Sequence, residues 1–262
     1  MPDVIVGVNA VSEALRAGRA ISRILVELTP GSRLSAIIET ARSRQVPVER
    51  VDRSKLDAVA RGQAHQGVVA YAATRVYASI DDLLRVPQER NEAPLLVVLD
   101  GIEDPHNLGA VVRTVEAVGG HGIIIRERRA VGLTPAALKA AAGAAEYVPV
   151  AQVVNIARTM DELKNAGVWL VGIDMAGPDA YTAVDYTLPT AIVIGGEGKG
   201  LGQLVKQRCD TLAHIPMRGM ITSLNASVAA GVVLYEALRQ RVAVELARPS
   251  QRPSQRRPQL TS

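Results

Sequence analysis

The chain has no phenylalanine, one tryptophan and a single cysteine, Cys209, in 262 residues. One cysteine excludes an intramolecular disulfide and supplies no thiolate cluster for a metal. The histidines at 65, 106, 121 and 214 lack ligand spacing, so no metal is expected and any chemistry must use oxygen, nitrogen and an organic cofactor. Aromatic residues make up only 3% of the chain, which argues against reading bases on stacked aromatic platforms. No run approaches the roughly 20 apolar residues of a membrane span. The opening MPDVIVGVNA lacks a basic-then-apolar leader, so a cytoplasmic protein without a membrane partner is expected. Two phosphate signatures are missing too. A P-loop would need glycine where Val193 stands and Ser or Thr where Gly200 stands, and both registers of G-x-G-x-x-G fail, at Leu201 and at Gln203.

What is present is ample apolar material, 48% of residues, enough for one large domain or two smaller ones. The net charge of +4 is uneven. Residues 1–75 carry 11 Lys/Arg against 7 Asp/Glu, residues 76–244 carry 15 against 18, and residues 245–262 carry 4 against 1. Basic ends around a nearly neutral body suit contact with a polyanion, although a solvated arginine-rich surface has the same composition.

Residues 1–75 read as a small α/β domain: helix over Gly7–Arg16, strand over Ile21–Glu27, helix over Leu34–Arg44, strand over Val46–Val51, capped helix over Ser54–Arg61 and strand over Val68–Ala72. In the polar loop before that last strand, His65 and Gln66 are either RNA contacts or parts of an ordinary turn. Residues 76–94, with Asp81-Asp82, Pro87 and Pro94, read as a linker. From Leu95 strands and helices alternate, and the strands are apolar without alternation, which predicts a parallel sheet covered by helices on both faces. The tail 245–262 is a basic, Pro/Ser/Gln-rich repeat that cannot bury a core and is expected to be flexible.

Three stretches stand out. Strand Ile192-Val193-Ile194 stops at Gly195-Gly196-Glu197-Gly198, and a strand from Leu212 to Ile215 stops at Pro216-Met217-Arg218-Gly219. Open α/β sheets place ligands at such strand exits. After the second loop comes Ser223-Leu224-Asn225-Ala226-Ser227, whose Ser and Asn side chains can cap the last helix. At the exit of an all-apolar strand over Leu95–Leu99, Asn107 is placed to cap a helix that carries Arg113 and Thr114.

Taken together, D-x-x-x-D-P-x-N-x-G-x-x-x-R-T at 100–114, I-G-G-E-G-x-G at 194–200 and I-P-M-x-G-x-x-x-S-L-N-A-S at 215–227 resemble the three motifs of the SpoU (TrmH) family of RNA 2′-O-ribose methyltransferases. The likeness covers about 95–241, and residues 1–75 resemble the ribosomal-protein-like substrate-binding domain of the members that act on 23S rRNA, down to a guanosine-ribose enzyme. It implies a C-terminal trefoil-knotted parallel-sheet (SPOUT) domain over 95–244, one of the rare exceptions to unknotted chains, a homodimer, and S-adenosylmethionine as cofactor. By the same resemblance the cofactor residues are Gly195, Gly196, Gly198, Ile215, Met217 and Leu224, and the catalytic set is Asn107, Arg113, Glu197, Ser223 and Asn225. Large-subunit rRNA is the expected partner. The alternatives are the same chemistry on tRNA or on an antibiotic-resistance site in rRNA, or a non-catalytic ribosome-assembly protein.

Overall fold

The computed structural model describes residues 3–198 and 200–247. The N-terminal domain is a four-stranded sheet of β1 (Asp3–Val6), β2 (Ile21–Glu27), β3 (Val48–Val51) and β4 (Val68–Ala72), in the order β1-β4-β2-β3. Helices α1 (Val8–Arg16), α2 (Ser32–Ser43) and α3 (Arg53–Ala60) cover it. Their apolar stripes, Val11/Ala14/Leu15, Leu34/Ile37/Ala41 and Leu56/Ala60, are buried against the strands. The first strand was not evident in the sequence: its four residues are too few to show a period. His65 proves to be part of the turn, 5% exposed, with Nδ1 accepting from the Gly67 amide at 3.0 Å and Nε2 facing Asp57 Oδ1 at 3.0 Å. Gln66 stays exposed.

The segment 76–94 is not a linker. Ser79 caps helix α4 (Ile80–Arg90) in a capping box with Asp82, so the acidic pair reads as a first helical turn. Leu83 is fully buried among Leu96, Val98 and Ile124 of the second domain, and Ala78 bridges to Ala151. The polar outer face of an amphipathic helix had the composition of a loop.

The second domain is a seven-stranded parallel sheet in the order β7-β6-β5-β10-β8-β11-β9. Its strands are β5 (Leu95–Asp100), β6 (Gly122–Arg126), β7 (Val150–Val153), β8 (Trp169–Ile173), β9 (Asp179–Ala180), β10 (Thr190–Gly195) and β11 (Thr211–His214). All six residues of β5 are buried, as burial on both faces requires. Helices α5 (Pro105–Ala117), α6 (Pro135–Ala141), α7 (Ile156–Asn165), α8 (Gln203–Arg208) and α9 (Ala226–Ala247) flank the sheet. Late in sequence, β10 returns to the middle of the sheet and pairs β5 on one side and β8 on the other. The last helix returns as well. Arg241 of α9 donates to the carbonyls of Ala93, Pro94, Tyr186 and Leu188, binding the helix to the chain just before β5 and before β10. Since α9 runs to Ala247, the basic tail begins no earlier than residue 248, and the rest of it lies outside the described residues.

Charged groups join the two domains. Arg19, held by Asp3 of its own domain at 2.5 Å, reaches Glu146 at 3.1 Å, Arg75 meets Glu146 at 2.5 Å, and Tyr147 donates to Glu13 at 2.7 Å.

Candidate active site

The site lies where β5, β10, β8 and β11 end side by side. The loop after β10 folds tightly on itself: the Gly200 amide donates to Gly196 O at 3.0 Å, and Gly198 and Gly200 have φ of 74° and 61°. A Cβ at Gly195 would lie 2.2 Å from the Gly200 carbonyl carbon, and one at Gly196 would lie 2.4 Å from Gly101 O. Glycine is therefore required there by backbone crowding. Buried Asp100 holds the loop from below. Its carbonyl accepts from the Gly196 amide at 2.9 Å, its Oδ2 accepts from the Gly202 amide at 3.0 Å, and its Oδ1 faces Arg126 at 2.5 Å.

Three of the expected catalytic residues meet. Asn107, 5% exposed, donates its side-chain amide to Glu197 Oε1. Asn225 Nδ2 donates to Asn107 Oδ1 and to Glu197 Oε1, each at 3.0 Å. Asn107 is not the helix cap that its position suggested. Helix α5 begins three residues earlier, with Pro105 first and Asp104 Oδ1 accepting from the His106 amide at 2.9 Å, so Asn107 is freed to face the site. Asn225 does cap α9, its Oδ1 accepting from the amides of Ser227 at 2.9 Å and Val228 at 3.3 Å.

A cleft of about 380 Å³ opens beside this triad and is lined by all six expected cofactor residues, Gly195, Gly196, Gly198, Ile215, Met217 and Leu224, with Glu197 and Ser223. Thr222 and Asp174 line it too, and sequence reading missed both. Asp174 follows β8 at a strand exit without a glycine signature, which left it no signal. Burial would raise its carboxyl, but the hydrogen bond and charge of Lys206 at 2.7 Å outweigh this and hold it below the usual range. Arg113 stands apart. It is exposed on α5, six residues and about 9 Å along the axis beyond Asn107, lines neither this cleft nor the one beside Arg126 and Arg129, and has no partner among the described residues. Burial pushes the Cys209 thiol up to about 12, which keeps it protonated and outside the chemistry.

Residues 94–235 match the SpoU rRNA Methylase family, and residues 4–78 match the RNA 2′-O ribose methyltransferase substrate-binding family. The chain belongs to the SpoU methyltransferases. Among similar proteins, the TrmH-family protein YacO of Bacillus subtilis is 48% identical over 91% of this chain and 96% of its own. The SpoU methyltransferase AviRb of Streptomyces viridochromogenes, solved in complex with AdoMet, is 28% identical with a TM-score of 0.77, covering 92% of this chain and 90% of that one. The TrmH/SpoU tRNA-modifying enzyme of A. aeolicus is 33% identical with a TM-score of 0.54, covering 66% of this chain and 89% of that one.

The protein is thus an RNA 2′-O-ribose methyltransferase of the SpoU family that uses S-adenosylmethionine. Its parallel sheet is the SPOUT methyltransferase sheet, and the return of β10 into its middle is consistent with a trefoil-knotted path. The cleft suits that cofactor. Its described ionisable lining groups are two carboxylates, Asp174 and Glu197, which favour a ligand bearing a sulfonium and an ammonium, and Ile173, Ile194, Ile215, Met217 and Leu224 offer apolar surface to an adenine ring.

Proposed function

We propose that this SpoU enzyme methylates the ribose 2′-hydroxyl of a nucleotide in large-subunit rRNA, working as a homodimer in which Arg113 of one protomer serves the cofactor cleft of the other. The observation that carries the chemistry is the convergence of Asn107, Glu197 and Asn225, from three separate motifs, into one hydrogen-bonded group on the rim of the cofactor cleft. The N-terminal domain favours rRNA. The tRNA-modifying relative matches only 66% of this chain while using 89% of its own length, so a region the size of the basic N-terminal domain has no counterpart there. The dimer reading is supported by Val228, Tyr235 and Val242, an exposed apolar stripe repeating every seven residues along α9, which packs beside α5 and its unpartnered Arg113.

When bound, S-adenosylmethionine supplies an electrophilic methyl group. The protein's part is to present the 2′-oxygen. The amides of Asn107 and Asn225 fix one oxygen of Glu197, leaving the other lone pairs of the carboxylate to orient the hydroxyl. Arg113 stabilises the developing alkoxide. A guanidinium is a poor base and a good charge partner, so charge stabilisation asks less of it than proton abstraction.

Mapping ribose methylation in rRNA from a deletion strain tests the substrate. A single 2′-O-methyl lost from 23S rRNA and restored by the purified enzyme is expected. An unchanged rRNA map with a lost tRNA methylation would replace the target.

A further inference from the structure

A second cleft, of about 430 Å³, lies across the Gly196–Gly200 loop from the cofactor cleft and shares Glu197 with it. Asn107, Arg126 and Arg129 also line it. One thin loop therefore separates two ligand-sized spaces, and the catalytic group stands on the wall between them. We propose that this second cleft receives the target nucleotide and that Arg129 holds the phosphodiester next to the ribose being methylated. This proposal rests on the reading of the enzyme as an rRNA ribose methyltransferase.

Arg129 is singled out by elimination and by its backbone. Arg126 is already neutralised by Asp100 at 2.5 Å, and Glu197 is engaged by Asn107 and Asn225. Arg129 is exposed and, among the described residues, has no hydrogen-bond or ion-pair partner. It is the uncommitted cation of the cleft. Glu103, also lining the cleft and exposed, repels phosphate and confines that contact to the Arg129 side.

Arg129 has φ of 56°, the left-handed region that residues with a side chain rarely adopt. Glycine or asparagine would relieve this at a position that packs nothing. The turn is nevertheless fixed. The Val131 amide donates to Ile102 O at 2.8 Å and the Glu127 amide to Val153 O at 2.8 Å, tying the chain after β6 to the exits of β5 and β7. An arginine held in an unfavourable conformation on an anchored turn, beside the catalytic group, fits a guanidinium placed for an anion.

The test uses full-length enzyme with Arg129→Gly, which removes the guanidinium and relieves the backbone, so folding is maintained or improved. Arg129→Lys keeps the charge without the planar fork. For Arg129→Gly the KM for rRNA should rise at least tenfold, the slope of log affinity against log salt should fall by about 1, and S-adenosylmethionine affinity by calorimetry should stay within twofold of wild type. Arg129→Lys should recover the salt slope. An unchanged KM and salt slope, a fall in kcat alone, or a matching loss of cofactor affinity would each overturn the assignment. Product analysis of the wild-type enzyme is scored separately: if it methylates a base or tRNA, the functional reading fails, whereas the Arg129 contact is judged by affinity for the RNA it does modify.

Discussion

Asn225 donates to Glu197 Oε1 at 3.0 Å with one end of its side-chain amide and caps α9 with the other. A single residue thereby couples the start of the last helix to the orientation of the Glu197 carboxylate. Asn225→Asp should keep the cap, since aspartate caps as well as asparagine, while setting a second carboxylate against Glu197. Expected are a thermal midpoint near wild type and methyl transfer reduced about 10²-fold. Asn225→Ala should lose the cap as well, at a cost of about 1 kcal/mol. Equal activity losses with a normal cofactor affinity, but no stability difference between the two variants, would detach the cap from this residue.

Arg113→Ala and Gly195→Trp protomers should each be inactive as homodimers, for different reasons. The first retains the cleft, and the second fills it where a Cβ already meets Gly200 at 2.2 Å. Mixed dimers should recover up to about half of wild-type transfer per dimer, because one intact Arg113 then faces one intact cleft. Arg113→Ala homodimers should lose the chemical step by about 10²-fold or more while binding cofactor. Radiolabelled methyl transfer on separated species decides it: no recovery in the mixture places the site within one chain.

Asp174→Asn should lower S-adenosylmethionine affinity about tenfold, since it removes one of the two carboxylates lining the cofactor cleft and leaves Lys206 without its partner at 2.7 Å. Calorimetry measures this directly. Wild-type affinity in the variant would make Asp174 a bystander to binding.

His121 gives the fold a specific acid limit. Burial holds its pKa below the ordinary value, against the opposing pull of Glu92, and its Nδ1 accepts from the Leu95 amide at 2.9 Å. The neutral ring satisfies both neighbours by donating from Nε2 to Glu92, and protonating Nδ1 would break the bond to the first residue of β5. A depressed folded pKa means the unfolded chain binds the proton more tightly. The contribution is therefore complete above the unfolded value of about 6.5 and declines as pH falls below it. His121→Gln should flatten that decline in urea midpoints between pH 7 and pH 5. A variant with the wild-type slope would assign the acid sensitivity to other groups.

The sheet was legible because buried parallel strands such as Leu95–Asp100 and Thr190–Gly195 have no polar alternation to mask them. The cofactor cleft was legible because Gly195 and Gly196 are demanded by backbone crowding, and crowding leaves a sequence trace. Helix α4 was hidden because Asp81, Asp82 and Pro87 resemble loop residues until Leu83 is seen against the sheet. Asn107 looked like a cap because the Asp104-Pro105 start preceding it is an equally good helix opening. Asp174 had no local pattern at all, since its importance comes from β8 lying beside β10. Arg113 lines neither cleft of its own chain, and its service to a second protomer is the proposal that the mixed dimers test.

The placement of β10 beside β5 and the Arg241 clamp on the carbonyls of Ala93, Pro94, Tyr186 and Leu188 bear on how the protein is made. During translation β5 emerges almost one hundred residues before its central neighbour, and the helix bearing Asn225 comes last. A nascent chain stalled before residue 190 must carry an open strand edge into the crowded exit region of the ribosome, where unpaired edges invite association. Of the described lining of the cleft, such a chain has only Ile173, Asp174 and Met175. The cleft is complete only when synthesis is nearly finished, so a prematurely terminated copy keeps the N-terminal domain but lacks most of the surface offered to the methyl donor.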